Sequence, residues 1–241
     1  MDAESIYQQA QNHATTAHYE EALHCYTSAL ELVSTHTKAR FGRALAHHRL
    51  GNLSSALADL DQVVSEQPGW AEAFYSRAAV RHQSGANATA LEDCECALRI
   101  KPAYVDARYL RGVIRKELVD LEGALDDFDF VIASDNSYHE AYYARATVRY
   151  LLAEYEHSVA DFTAYLNYVP PTKDVFALRG LANYRLRRLK EALQDLTDAI
   201  ELCPADGALY IRRWQVNQDL GETQAAALDF AKGEELLSRK Q

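Results

Sequence analysis

Apolar residues recur along this chain at helical spacing, without the strict alternation of a strand. In the stretch Ala71-Glu-Ala-Phe-Tyr-Ser-Arg-Ala-Ala-Val-Arg-His-Gln-Ser they fall on one face of a helix. Gly85 follows and can take the left-handed conformation that closes a helix. A second helix is predicted from about Ala88 to Ile100, and Pro102 prevents its continuation. The pair then recurs. Alanines stand at Ala22, Ala56, Ala90, Ala124, Ala192 and Ala226, all separated by multiples of 34, with Ser158 in the one gap. A second small column runs through Ala10, Ala44, Ala78, Gly112, Ala146 and Gly180. Pro68, Pro102, Pro170 and Pro204 form a third column, and Gly51, Gly85 and Gly221 a fourth.

Seven units fill residues 3–240, as 3–36, 37–70, 71–104, 105–138, 139–172, 173–206 and 207–240. The prediction is a single all-α array of about fourteen helices with no linker and no second domain. Small residues in the columns let two helix backbones approach where larger side chains would hold them apart. Phe128, Phe162, Leu196 and Phe230 fill the space beside them. One helical hairpin cannot bury its apolar stripe alone, so neighbouring hairpins must stack.

The period, the two-helix unit and the columns together resemble the tetratricopeptide repeat over nearly the whole chain. Tyr109-Leu-Arg-Gly-Val and Phe176-Ala-Leu-Arg-Gly-Leu are similar to the Arg-Gly variety of that repeat. The resemblance implies an α-solenoid, wound as a right-handed superhelix, whose first helices line a concave groove. It also implies a non-catalytic scaffold or adaptor that binds a peptide segment or helix of another protein there. Departures fall in the later units, at Tyr165, Trp214 and Gly233 and in the Pro170-Pro171 turn. Some members hold the acidic C-terminal tails of heat-shock chaperones with Lys, Asn and Arg at set places. Tyr7, Gln11, Gly42, Glu72 and Ser76 occupy those places here, so a chaperone tail is not the expected partner.

Charge narrows the partner further. Acidic residues outnumber basic ones 35 to 25, a net −10, which repels phosphate backbones. Single-stranded RNA, bound by related helical-hairpin arrays, is therefore the weaker alternative, and no nucleic-acid partner is expected. No apolar run approaches the roughly 18 residues of a bilayer span, so no membrane partner is expected either. The opening Met-Asp-Ala-Glu-Ser has neither the basic start nor the apolar core of a secretory signal. A cytoplasmic location and reduced cysteines follow as expectations.

Candidate chemistry is sparse. Cys94 and Cys96 diverge by roughly 200° on a helix and cannot share a metal. His47, His48 and His82 assemble no tetrahedral set, and no phosphate loop or nucleophile motif is present. No enzyme activity, metal or cofactor is expected. Arg43, Arg77, Arg111, Arg145, Arg179 and Arg213 form a column, and Asp59, Asp93, Asp127, Asp161, Asp195 and Asp229 follow it 16 residues later. An anion-binding ladder is one reading. Internal ion pairs are the favoured one, because buried charges are retained mainly as pairs.

Tyr7, Phe41, Tyr75, Tyr109 and Tyr143 occupy the place that the family geometry turns toward the groove. Partner-binding residues are therefore expected at Phe41, Tyr75, Tyr109, Leu110, Val113 and Tyr143, with Arg49 and Lys116 for orientation. Packing between units is the competing role for the rings. Lys38, Arg49, Lys116, Arg185 and Arg212 face Glu4, Glu72, Asp106, Glu117, Glu140, Asp174 and Asp219 in that groove, which disfavours a strongly acidic ligand. Phe230, Leu236 and Leu237 in the last helix have no following unit to cover them, so self-association through the seventh unit is a further expectation.

Overall fold

The computed structural model describes residues 2–239. They form helices α1 (Ala3–Thr15), α2 (Tyr19–Leu32), α3 (Thr37–Arg49), α4 (Leu53–Glu66), α5 (Ala71–Gln83), α6 (Asn87–Ile100) and α7 (Val105–Glu117). These are followed by α8 (Leu121–Ser134), α9 (His139–Leu151), α10 (Tyr155–Leu166), α11 (Lys173–Arg185), α12 (Leu189–Leu202), α13 (Gly207–Leu220) and α14 (Thr223–Ser238). Among the described residues there are thus fourteen helices and no strand. None is long and apolar enough to cross a membrane. The chain divides into an N-terminal half that ends at Asp120 and a C-terminal half that starts at Leu121. Within each half, helices pack on their nearest neighbours in sequence, as an all-α solenoid of helix–turn–helix repeats requires.

The small columns sit where helices touch. Ala10, Ala44, Ala78 and Ala146 are wholly buried, as are Ala22, Ala56, Ala90 and Ala192. Ser158 fills the gap because its hydroxyl donates to the carbonyl of Ala146 at 2.8 Å, so a buried polar group is satisfied. A Cβ added to Gly42 would lie 2.4 Å from the Tyr26 ring. Gly42 therefore admits a tyrosine where other repeats place Leu60, Phe162 or Leu196.

The turn inside each hairpin departs from the glycine pattern. Gly51, Gly85 and Gly221 take the left-handed conformation, with φ between 77° and 81°. The same turn forms at Ala17, Val119, Ala153 and Arg187, with φ between 59° and 65°. Each of these side chains is held there at roughly 1 kcal/mol relative to glycine, a strain that the packed hairpins impose. Pro170 and Pro171 act on the other turn. α10 stops at Leu166 after 12 residues, against 14 for α12.

Candidate partner-binding face and the ladder beneath it

The arginine and aspartate columns are internal ion pairs. Arg43 forks onto Asp59 at 2.8 and 2.7 Å, and Arg213 onto Asp229 at 2.9 and 2.7 Å. Arg77 grips Asp93 at 2.9 and 2.6 Å, Arg145 grips Asp161 at 2.8 and 2.7 Å, and Arg179 reaches Asp195 at 2.6 Å. All five aspartates are buried. Such two-point charge-assisted bonds are the strong kind, and they set the angle between the helices of a hairpin. The expected pairing is met in these five hairpins.

Four of these arginines also reach back to the preceding hairpin. Arg77 donates to Asp61 and Arg145 to Asp129, at 2.7 and 2.6 Å. Arg179 and Arg213 instead donate to the hydroxyls of Thr163 and Thr197, at 3.2 Å each. A further donor approaches each aspartate from one turn along the first helix: Arg81 on Asp93, Arg149 on Asp161, Asn183 on Asp195 and Asn217 on Asp229. At the corresponding place His47 keeps a buried Nδ1 with no partner, and burial lowers its pKa from 6.5. An aromatic ring three residues before the ladder completes four of these nodes. Phe74, Tyr142, Phe176 and Tyr210 carry the guanidinium of Arg77, Arg145, Arg179 and Arg213 at 5.5 to 5.7 Å from the ring centre. The sequence reading missed this aromatic column, although its spacing of three was there to see.

The predicted binding residues lie above this ladder. In the N-terminal half, Phe41 of α3 is half-buried against Trp70, with ring centres 4.5 Å apart. Tyr75 of α5 packs on Tyr104 at 5.2 Å and on the cluster of Ala97, Leu98 and Ala107. Burial raises the pKa of the Tyr75 hydroxyl. The hydroxyl of Tyr104 is pushed far up, first by burial and then by Tyr75 itself. Phe74 joins the clusters of both Phe41 and Tyr75 and so links them. Leu110 of α7 packs on Ala78, Cys94 and Ile114. Tyr109, Val113 and Lys116 are also half-buried on α7, and Arg49 is exposed at the end of α3. In the C-terminal half, Tyr143 meets Phe162 edge-on at 5.8 Å and Tyr165 at 5.5 Å. The rings are wedges that leave part of their surface outward. Tyr7 departs from the expectation. It is buried against His36, with ring centres 4.8 Å apart, and lies close to Tyr26 of α2.

A small cavity of about 200 Å³ adjoins Arg49, lined by Ala14, Tyr19, Tyr26, Gly42 and Leu45. Gly42 opens it, standing in a column that elsewhere holds Gln8, Ser76 or Leu110. The histidines tie first helices together. His48 bonds Gln83 at 2.7 Å, and His82 bonds Asn87, which donates to Glu117 at 2.8 Å. Among the described residues no group of His, Cys, Asp and Glu is placed to hold a metal ion.

Comparison with known proteins agrees with this architecture. A tetratricopeptide repeat family model matches residues 7–69 and 49–105. No curated protein matches the chain by sequence. A tetratricopeptide repeat protein of Parabacteroides merdae is 19% identical, over 97% of this chain and 93% of its own, with a TM-score of 0.70. PilF of Pseudomonas aeruginosa is 11% identical over 90% of this chain and 97% of its own, with a TM-score of 0.76. YrrB, a repeat protein with an unusual peptide-binding site, is 22% identical over 76% of this chain and 94% of its own, with a TM-score of 0.67. The 34-residue hairpin and these matches lead to one conclusion: residues 7–105 are tetratricopeptide repeats, and the chain has the fold of a tetratricopeptide repeat array.

Proposed function

We propose that the protein is a non-catalytic scaffold that binds a peptide segment or helix of another protein on the first-helix side of its repeats. The seven repeats from 3–36 to 207–240 are taken as one array. The carrying observation is the row of half-buried rings in the N-terminal half, Phe41, Tyr75 and Tyr109, beside Leu110 and Val113. Rings fixed by packing present apolar area at little entropic cost, which is what contact hot spots require. Arg49 and Lys116 border the row and orient the ligand. The cavity beside Arg49 gives room for one apolar side chain. Tyr143 is the counterpart in the C-terminal half. The peptide-binding site named for YrrB lends support by likeness of fold.

The test places a photo-crosslinking phenylalanine at position 75 and, as control, at Glu92 on the outer face of α6. Partner crosslinked at 75 and not at 92 is the expected result. Tyr75→Ala with Tyr109→Ala should then weaken that partner by about 2 kcal/mol or more, with the melting temperature lowered but the fold kept. A folded double variant with native affinity removes these residues from the site. RNA retained on a filter at low salt, and lost steeply as salt rises, would replace this reading with the nucleic-acid one.

A further inference from the structure

Polar rungs between neighbouring first helices provide an internal control for the cavity beside Arg49. A residue near the end of one first helix meets the residue 35 places later, near the end of the next: His48 bonds Gln83 at 2.7 Å. His82 lies 3.6 Å from Glu117 by the same spacing. In the C-terminal half the Tyr150 hydroxyl bonds Arg185 and raises the pKa of that guanidinium. Burial, then the bond to Asp219, raises that of the Tyr184 hydroxyl. Sequence register puts Ala14 and Arg49 in the same relation. Ala14 has no polar group, so this rung is open. Arg49 is exposed and makes no hydrogen bond or ion pair among the described residues.

The cavity at the open rung holds a second unmatched group. It is lined by Ala14, Leu45 and Ala46, by Tyr19 and Tyr26, and by Arg49. Tyr26 is only 4% exposed, and its hydroxyl makes no hydrogen bond among the described residues. That hydroxyl lies 2.8 Å from where a Cβ on Gly42 would stand, and Gly42 lines the same cavity, so the oxygen faces into it. Burial, then Tyr7, pushes its pKa up to about 12, which keeps it a neutral O–H donor. A buried donor without an acceptor is costly. One repeat on, Leu60 stands where Tyr26 does and Gln83 is bonded to His48, so neither donor is left over there.

Two unmatched donors and apolar walls define the occupant. A guanidinium is matched best by a carboxylate, which can also accept from a hydroxyl. Walls of alanine and leucine call for a stem without polar groups. A glutamate side chain supplies both, since its methylenes lead to a carboxylate. In a chain of net −10 a run of acids is repelled, so a lone acid in an otherwise uncharged segment is the match.

We infer that this cavity is a pocket for one glutamate side chain of the bound segment, whose carboxylate supplies the rung partner that Arg49 lacks and accepts from the hydroxyl of Tyr26. The inference rests on the scaffold reading above and narrows it: the pocket takes an apolar stem that ends in a negative charge.

The test selects a phage-displayed library of random peptides on the full chain. Recovered peptides are made with free and with amidated C-termini and crosslinked to the chain that carries the photo-crosslinking phenylalanine at position 75. Those that crosslink should contain glutamate, and its replacement by glutamine should weaken binding by about tenfold or more. Arg49→Gln should weaken the same peptides equally, and both changes together should cost little more than either alone, because they remove one contact. Ala14→Glu should close the rung from inside, as Glu117 does for His82, and weaken the peptides without lowering the melting temperature. Peptides that crosslink at position 75 yet lack glutamate, or ignore Arg49→Gln, would overturn the inference and leave the scaffold reading standing. Peptides that bind only with a free C-terminus would do the same, since the chain end would then supply the carboxylate. If no recovered peptide crosslinks at position 75, the scaffold reading fails and this inference fails with it.

Discussion

The node around Asp93 in the N-terminal half and the node around Asp195 in the C-terminal half share one geometry and differ in chemistry. At Asp93 two arginines, Arg77 and Arg81, converge on a buried carboxylate, and both also face Asp61. At Asp195 there is one arginine, Arg179, with the amide of Asn183 and the hydroxyl of Thr163 in place of the other charges. The node at Asp161 follows the first pattern and the node at Asp229 the second. What the repeat conserves is one bidentate pair. The positions around it can be charged or neutral provided they change together, because an unpaired charge there would be costly.

Removing the shared carboxylate should break the two nodes unequally. Asp93→Ala leaves two arginines with only the exposed Asp61 to share and is expected to cost about 3–5 kcal/mol, the usual cost of breaking a buried pair. Asp195→Ala leaves one and should cost less. Equal losses in urea melts would mean that the second arginine contributes nothing.

His47 stands between the two patterns. Thr27 lies 20 residues before it, as Thr163 lies before Asn183, so asparagine is the matched residue. His47→Asn should gain about 1 kcal/mol at neutral pH by satisfying a buried donor or acceptor. It should also change the acid response. Because burial lowers the folded pKa of His47 below 6.5, the unfolded chain takes up that proton first as pH falls. Stability tied to neutral His47 is therefore present above pH 6.5 and lost below it. The variant should lose less stability than the parent between neutral and more acidic pH. Parallel declines would remove His47 as the cause.

The smallest effect is expected from converting one node into the other. Asp61→Thr with Arg81→Asn turns the Asp93 node into the pattern of Asp195. Replacing buried ions by matched neutral groups is often nearly free, so the change should stay within about 1 kcal/mol. Thermal melts across a salt series should show weaker salt dependence than the parent, and either single change should cost more than the pair.

Much of this was legible in the sequence. The columns place every hairpin, and the spacing of 16 between arginine and aspartate gives the ladder because it joins the two helices of one hairpin. The coupling around each node was also written there. Residues 20 apart read Asp61 and Arg81, Asp129 and Arg149, then Thr163 and Asn183, Thr197 and Asn217. Acid goes with arginine, and threonine with amide. The turns were harder to read, since Val119 and Arg187 adopt a glycine conformation under the force of packing alone. Tyr7 shares a column with Tyr75 but packs on Tyr26 as well as on His36, so its place in the pattern does not give its burial. The rings proposed for binding carry no local signal of this sort, because exposure of half a ring depends on neighbours from other repeats.

Within each half, packed helices are at most two apart along the chain. Sequence separation between contacting residues therefore stays short, and short separations make folding fast. No single hairpin has to form before the others can. Any of them can serve as the nucleus, with structure spreading to its neighbours on either side. Amide exchange should accordingly differ from hairpin to hairpin, slowest where both helices are buried by packed neighbours.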